Sequence, residues 1–263
     1  MHKKVAEEIE SYLHGFLQGL VNKYDPSVVK NEIFKKGFLS EEKGKYKPFH
    51  AALIPAELLR IQSFFRSFST SLGQGVFEYI AKIVSRANPK WVEVKSNSKF
   101  DATASPDVQS IVDNFLEALE KKEKKPLFIP GFPSLSSSNI KKITVDLYLK
   151  SKRGRKFFFE IKSPKPNKDQ TRRTKEKFLY LLATYPDSKT FFALPYNPFG
   201  EDKQKYKWSF TEMFFEKKEL LIGKEFWDFI GGKNTYEEIL RVFQKVGKER
   251  GKDIIKHLIK GEG

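Results

Sequence analysis

An α/β fold, a central mixed β-sheet flanked by helices, is the class this sequence predicts. Three observations carry it. Apolar residues recur at helical spacing in several stretches, as at Val5, Ile9, Tyr12, Leu13, Phe16 and Leu20. Short β-rich runs lie among them, the clearest being Phe157-Phe158-Phe159-Glu160-Ile161-Lys162. The order helix, strand, hairpin, helix, strand is that of a sheet covered by helices. A chain of 263 residues with 25 Phe can bury a core of that size.

Taken in order, residues 3–23 read as a helix, and Pro55 opens another that ends near Arg66. Ser71 to Ala87 carries Val76, Phe77, Ile80, Ile83 and Val84 at helical spacing and stops before Pro89. Trp91–Lys95 reads as a short strand. Ser105-Pro106 places an N-cap before a proline at the first helical position, starting a helix to about Lys122. Residues 121–142, rich in Lys, Ser, Pro and Gly, read as a loop. Ile143–Lys150 and Lys156–Lys162 form a hairpin across the link Ser-Lys-Arg-Gly-Arg. Asp169–Tyr185 is a helix and Thr190–Leu194 a strand. The last third is mostly helical, with Thr235 and Glu238 spaced as a capping box.

Composition narrows the chemistry. No cysteine is present, so disulfides, thiol nucleophiles and Cys-based zinc sites are excluded. The four His residues show no metal-ligand spacing. No apolar stretch approaches the ~20 residues of a membrane span, and the charged N-terminus is unlike a signal peptide. The expectation is a soluble protein of the cytoplasm. The 49 Lys+Arg against 33 Asp+Glu leave a net +16, which favours polyanionic partners without choosing among DNA, RNA and an anionic membrane.

The hairpin supplies the candidate site. Side chains alternate across a strand, so Ile143, Val145, Leu147 and Leu149 share one face of the first strand, and Thr144, Asp146 and Tyr148 the other. In the second strand Phe158, Glu160 and Lys162 lie together. With the turn centred on Arg153, paired positions sum to 306: Lys150 faces Lys156, and Asp146 faces Glu160. Directly opposed like charges are destabilising, so a cation must compensate. Lys162, two residues on, is one candidate, and a divalent metal is the other. Such a cluster suits phosphodiester hydrolysis: Mg²⁺ takes hard oxygen ligands, acidifies water and offsets charge at phosphorus. The Ile161 carbonyl is a further oxygen ligand, and Lys162 is placed to orient or deprotonate water and to stabilise charge. The bland alternative is a solvated strand end. Glu-x-Lys occurs seven times in the chain, but only Glu160 combines an apolar strand with an Asp in matching phase on the strand before.

The arrangement Asp146…Glu160-x-Lys162 on adjacent strands, with a helix before and after, resembles the PD-(D/E)XK nuclease fold, with Val145 where that motif often has Pro. More specifically, the chain resembles the TdeIII-like family of type II restriction endonucleases. The similar stretches are KPFHAALIP (47–55), RSFSTSLGQGVFEYIAK (66–82), residues 146–170 around FFFEIKSPKPNKDQ, ALPYNPFG (193–200), YKWSF (206–210), LIGKEFWDFIGG (221–232) and TYEEIL (235–240). The resemblance implies a Mg²⁺-dependent homodimeric enzyme that cuts both strands of a short palindromic DNA site, of GGNCC type. It implies one nuclease domain over 1–263, with a catalytic core at about 66–200 and helical additions at 1–65 and 210–263. Asp146, Glu160 and Lys162 become the catalytic set, and Glu78 a further acidic residue near the metal. The alternative for Glu78 is a surface pair with Lys82.

Around that set, Lys165, Lys168, Gln170, Arg172, Arg173 and Lys175 follow the catalytic strand and are candidates for DNA contact; a solvated basic helix start is the other reading. Asn197, Lys203 and Lys207 sit in or after a loop suited to reading base edges, or to an ordinary turn. Arg66, Ser67, Ser69 and Thr70 are either phosphate contacts or caps. Phe226 and Trp227 read as core or dimer contact, and His50 as packed or capping. A junction-resolving or repair nuclease of the same fold, and a non-catalytic basic DNA-binding protein, are the alternatives the residues leave open.

Overall fold

The structure, a computed structural model, describes residues 2–25, 30, 39, 46–123 and 139–260. It divides into two compact units, Gln74–Glu237 and His2–Gly73 together with Glu238–Gly263.

The first unit holds a five-stranded sheet in the order β1 (Trp91–Thr103), β2 (Ile140–Ser151), β3 (Lys156–Ile161), β4 (Lys189–Leu194) and β5 (Leu220–Ile222). Strand β2 runs antiparallel to both neighbours, β1 and β3, and β3, β4 and β5 run parallel. The sheet is therefore mixed and flanked by helices, as expected. On one face Tyr148, Phe158 and Phe192 pack in a single cluster with Val112, Phe115, Phe178 and Leu181. On the other, Phe157, Phe159 and Phe191 stack around Phe229, and Phe226 meets Phe159. Fully burying one such ring contributes about 1.5–3 kcal/mol, which is why the Phe-rich β3 is the middle strand.

Local signals account for most element ends. Ser105 accepts the Val108 N–H and caps the helix Pro106–Lys121. Asn167 and Gln170 form a reciprocal capping box that starts Lys168–Thr184. In the hairpin, Gly154 at φ 80 lets its N–H reach the Ser151 carbonyl at 2.9 Å.

Several expectations are corrected. Strand β1 is 13 residues long rather than a short run, because pairing with β2 stabilises a polar sequence whose own β signal is weak. Strand β2 begins at Ile140, inside the expected loop; residues 124–138 of that loop lie outside the described residues. The segment 56–87 stays helical through a π-helical stretch at Leu72–Val76, so Ser69 and Ser71 do not cap a new helix. Thr235 is already inside the helix Thr235–Ile255, and its hydroxyl donates to the Gly232 carbonyl. Asp228 accepts the Asn234 and Tyr236 N–H groups instead. Trp227 is buried, with its indole N–H on the Pro195 carbonyl.

The second unit joins helices Lys3–Tyr24, Pro48–Leu53 and Ala56–Ser71 with the C-terminal part of the chain. Leu20, Tyr24, Phe64 and Leu258 form its buried cluster, and Arg60 donates to the Leu258 carbonyl. His50 is exposed on its short helix rather than packed. Among the described residues no helix is long and apolar enough to cross a membrane.

Candidate active site

The hairpin register is the one the turn predicts: Leu147 faces Phe159, Tyr148 Phe158, Leu149 Phe157, and Lys150 Lys156. The ladder ends there. At Asp146 and Glu160 the strands part, and the Asp146 carboxylate enters the gap to accept the Ile161 N–H at 2.7 Å. On the other side, pairing with β1 passes from Ser96–Leu147 to Ser98–Val145 without joining Asn97 to Asp146. Asn97 takes a left-handed conformation, φ 48. This irregularity corrects two expectations. Asp146 and Glu160 are not a ladder pair, and Ile143 and Val145 pack with Tyr148 and Phe158 rather than on the face opposite them.

The parted strands leave room for a cation, and Lys162 fills it. Its Nζ lies 2.8 Å from Asp146 Oδ2 and 3.0 Å from Glu160 Oε2. Glu160 is 1% exposed, and its other oxygen, Oε1, takes a bond of 2.7 Å from Lys177 Nζ. Lys177 also donates to the Thr144 carbonyl at 3.1 Å. Burial raises the Glu160 pKa; Lys162 and Lys177 pull against it, while Asp146 adds to it. For Lys162, burial works against the charged form, but Glu160 and Asp146 outweigh it and hold the ammonium above its usual range. Glu78, in the helix Phe77–Ala87, is pushed up to about 7 by burial and then by the Asp146 charge, with Lys162 opposing. Asn97 Nδ2 reaches its Oε2 at 3.5 Å. Glu78 is therefore electrostatically part of the cluster rather than only a partner for Lys82.

This donor set fits a hard divalent cation. It offers two carboxylates, and the two bonds to Asp146 both fall on Oδ2, leaving Oδ1 to a further ligand. Backbone groups alternate in direction along a strand. The Lys162 N–H bonds the Ala193 carbonyl of β4, and the Ile161 N–H points the opposite way, at Asp146. The Ile161 carbonyl therefore also faces the side of Asp146. Asp146, Glu160 and the Ile161 carbonyl are all hard oxygen ligands of the kind Mg²⁺ prefers.

The type II restriction endonuclease HinfI family model matches residues 1–247. The chain belongs to the HinfI family of type II restriction endonucleases. The type II restriction enzyme HgiCII of Herpetosiphon aurantiacus is 29% identical to it over 269 residues, which cover 96% of this chain and 97% of that protein. HgiEI, from the same organism, is 29% identical over 267 residues, covering 96% of each. The type II restriction enzyme MjaII of Methanocaldococcus jannaschii is 28% identical over 235 residues, 76% of this chain and 62% of its own. The type II identity read from the motifs stands, and the matching family model is that of HinfI. Membership decides for a site-specific endodeoxyribonuclease and against the repair nuclease and the non-catalytic binder.

Around the cluster, the restriction endonuclease keeps some of the expected DNA-binding residues accessible and commits others to its own fold. Lys165, Arg173 and Lys207 are exposed. Lys165 lies over the rings of Phe199 and Trp208, and its segment is held by Tyr206 Oη on the Pro164 carbonyl and Trp208 Nε1 on the Pro166 carbonyl. Lys168 and Arg172 both reach Glu120, at 3.3 and 3.4 Å. Gln170 accepts the Asn167 N–H as part of the helix cap. Lys175 is a correction: it is 5% exposed and paired with Glu219 at 2.5 Å, so its charge serves the core. Lys203 is turned inward in the same way, donating to the Leu220 carbonyl and pairing with Glu225. Asn197 spends its side chain on its own loop, donating to the Asp202 carbonyl and accepting the Phe199 N–H.

Two residues of the cluster escape sequence reasoning. Lys177 is one of many lysines, and only the docking of Lys168–Thr184 against β3 singles it out. Asn97 looks like part of a polar stretch, and its left-handed turn appears only once β1 is paired.

Proposed function

We propose that this enzyme makes Mg²⁺-dependent double-strand cuts at a short palindromic DNA site, of GGNCC type by the family resemblance, and that it acts in the cytoplasm as a homodimer with one centre per strand. The observation that carries the chemistry is Lys162 Nζ at 2.8 and 3.0 Å from two carboxylates on diverging strands. Asp146, Glu160 and the Ile161 carbonyl would hold the ion. An ion held there would supply an acidified water and an offset for the charge that builds on the phosphate. Asp146, fixed by the Ile161 N–H, would be one of the residues holding that ion. Lys162 stays protonated at neutral pH because two carboxylates surround it, so it serves as a hydrogen-bond donor that orients the water and as a fixed positive charge beside the phosphate. Glu78, whose carboxyl is pushed up to about 7 in the metal-free enzyme, is a further acidic group beside that centre. Lys165, Arg173 and Lys207 supply phosphate contacts from exposed positions.

Digestion of a plasmid of known sequence with Mg²⁺ is the test. Discrete fragments with GGNCC at their ends are expected. Asp146→Ala should abolish cutting and leave DNA binding in Ca²⁺ intact, because Ca²⁺ supports binding without the small-ion geometry. A wild-type enzyme that cuts no duplex with either Mg²⁺ or Mn²⁺ would overturn the reading; fragment ends of another sequence would overturn only the GGNCC assignment.

A further inference from the structure

We propose that Lys177 is a positioning residue for this active site, aiming the Glu160 carboxylate while it fixes the gap between β2 and β3. The inference rests on the reading of Asp146 and Glu160 as the catalytic pair. Glu160 is 1% exposed. A carboxylate so placed needs a hydrogen-bond partner for each oxygen. Its two oxygens have different partners: Oε2 meets Lys162 and Oε1 meets Lys177. Lys162 divides itself between Glu160 and Asp146 and must also serve the water and the phosphate. Among the described residues Lys177 bonds Glu160 and the Thr144 carbonyl alone, so it keeps Glu160 oriented when Lys162 turns to its substrate-directed work.

Geometry adds a second role. Lys177 Nζ bonds Glu160 on β3 and the Thr144 carbonyl on β2, two residues before Asp146. It therefore spans the point where the ladder has ended and backbone pairing no longer sets the strand separation. The anchor for this span is stiff. Flanking Thr174 and Phe178 are buried, and the Asn167–Gln170 box fixes the start of the helix. Of the other cations of that helix, Lys168 and Arg172 pair with Glu120 and Lys175 with Glu219, and Arg173 is exposed. Outer partners that orient metal-binding carboxylates cost about 10–100-fold in metal affinity or activity when removed.

The rival role is a phosphate contact, since the Lys177 side chain keeps 36% exposure. Three readouts separate the two on Lys177→Met and Lys177→Arg: the single-turnover cleavage rate, DNA affinity in Ca²⁺, and Mn²⁺ affinity of the complex with an uncleavable duplex. Positioning predicts that Lys177→Met slows cleavage and weakens Mn²⁺ binding, each by about 10–100-fold, with DNA affinity and its salt dependence unchanged. Lys177→Arg, which keeps the charge and several donors, should recover most of both. In a Glu160→Gln background the effect of Lys177→Met on Mn²⁺ affinity should vanish. Wild-type rate and Mn²⁺ affinity in Lys177→Met would overturn the proposal. So would a loss of DNA affinity matching the loss of rate, or an undiminished Mn²⁺ effect in the Glu160→Gln background. If Lys177→Met does not fold, Lys177→Gln carries the same comparisons. An Asp146→Ala enzyme that still cuts would instead sink the underlying catalytic assignment, whatever Lys177 does.

Discussion

Replacing Lys162 with methionine keeps much of the side-chain volume and deletes one charge, and its cost should depend on pH. Two contacts are lost, at 2.8 Å to Asp146 and 3.0 Å to Glu160. Breaking a buried pair from one side costs about 3–5 kcal/mol. Here Glu160 keeps Lys177 and Asp146 keeps the Ile161 N–H, which places the expectation at the lower end, about 3 kcal/mol, in the metal-free enzyme at pH 8. In the wild type the Lys162 pKa is raised, so its contribution is complete below the unfolded value of 10.5 and undiminished across pH 5–8. In the variant, Glu160 loses the Lys162 charge that opposes its raised pKa, so its folded pKa rises further. A carboxylate with a raised folded pKa favours folding below its unfolded value, near 4.5, and loses that benefit as pH climbs through the folded value. The destabilisation should therefore be small at pH 5 and grow towards pH 8, by about 1.4 kcal/mol for each unit by which a carboxylate pKa moves. Urea unfolding of both proteins in EDTA at the two pH values reads it directly. An equal cost at pH 5 and pH 8 would refute the electrostatic account of the cluster. The same variant should lose cleavage by orders of magnitude with DNA affinity in Ca²⁺ retained.

Glu78 should titrate near pH 7 in the metal-free enzyme by carboxyl NMR and move down when a divalent ion is added; because its folded pKa is raised, Glu78→Gln should gain stability over wild type as pH rises from 5 to 8. Exposed Lys165 and buried Lys175 should separate cleanly. Lys165→Ala should lower the slope of log affinity against log salt by about one, whereas Lys175→Ala should leave that slope alone and lower the urea midpoint by stranding Glu219. Tyr206→Phe removes the donor to the Pro164 carbonyl and the partner of the Thr211 hydroxyl, so a loss of about 1–3 kcal/mol is expected from buried groups left unpaired, together with slower cleavage from a looser segment after Lys162.

The sequence by itself determined the hairpin, its register from the turn to Leu147–Phe159, and which two acids and lysine lie near its open end. These depend on local quantities: a turn of fixed length, side chains alternating with period two, and a Phe run that must be buried. Hence Lys150–Lys156 and Leu147–Phe159 pair as the residue numbers require, and Ser105 caps its helix as written. Tertiary structure decided what depends on contacts between distant segments. The β2–β3 ladder ends before Asp146, and the left-handed Asn97 on a third strand skips its pairing with the same residue. Lys177 meets Glu160, and Lys175 and Lys203 turn inward, because helix docking and a buried acid select one lysine from many. Lysine in sequence is only a charge on a flexible stem. Whether it faces a phosphate, a carboxylate or a ring is set by the low-dielectric surroundings it is folded into, which no local pattern encodes.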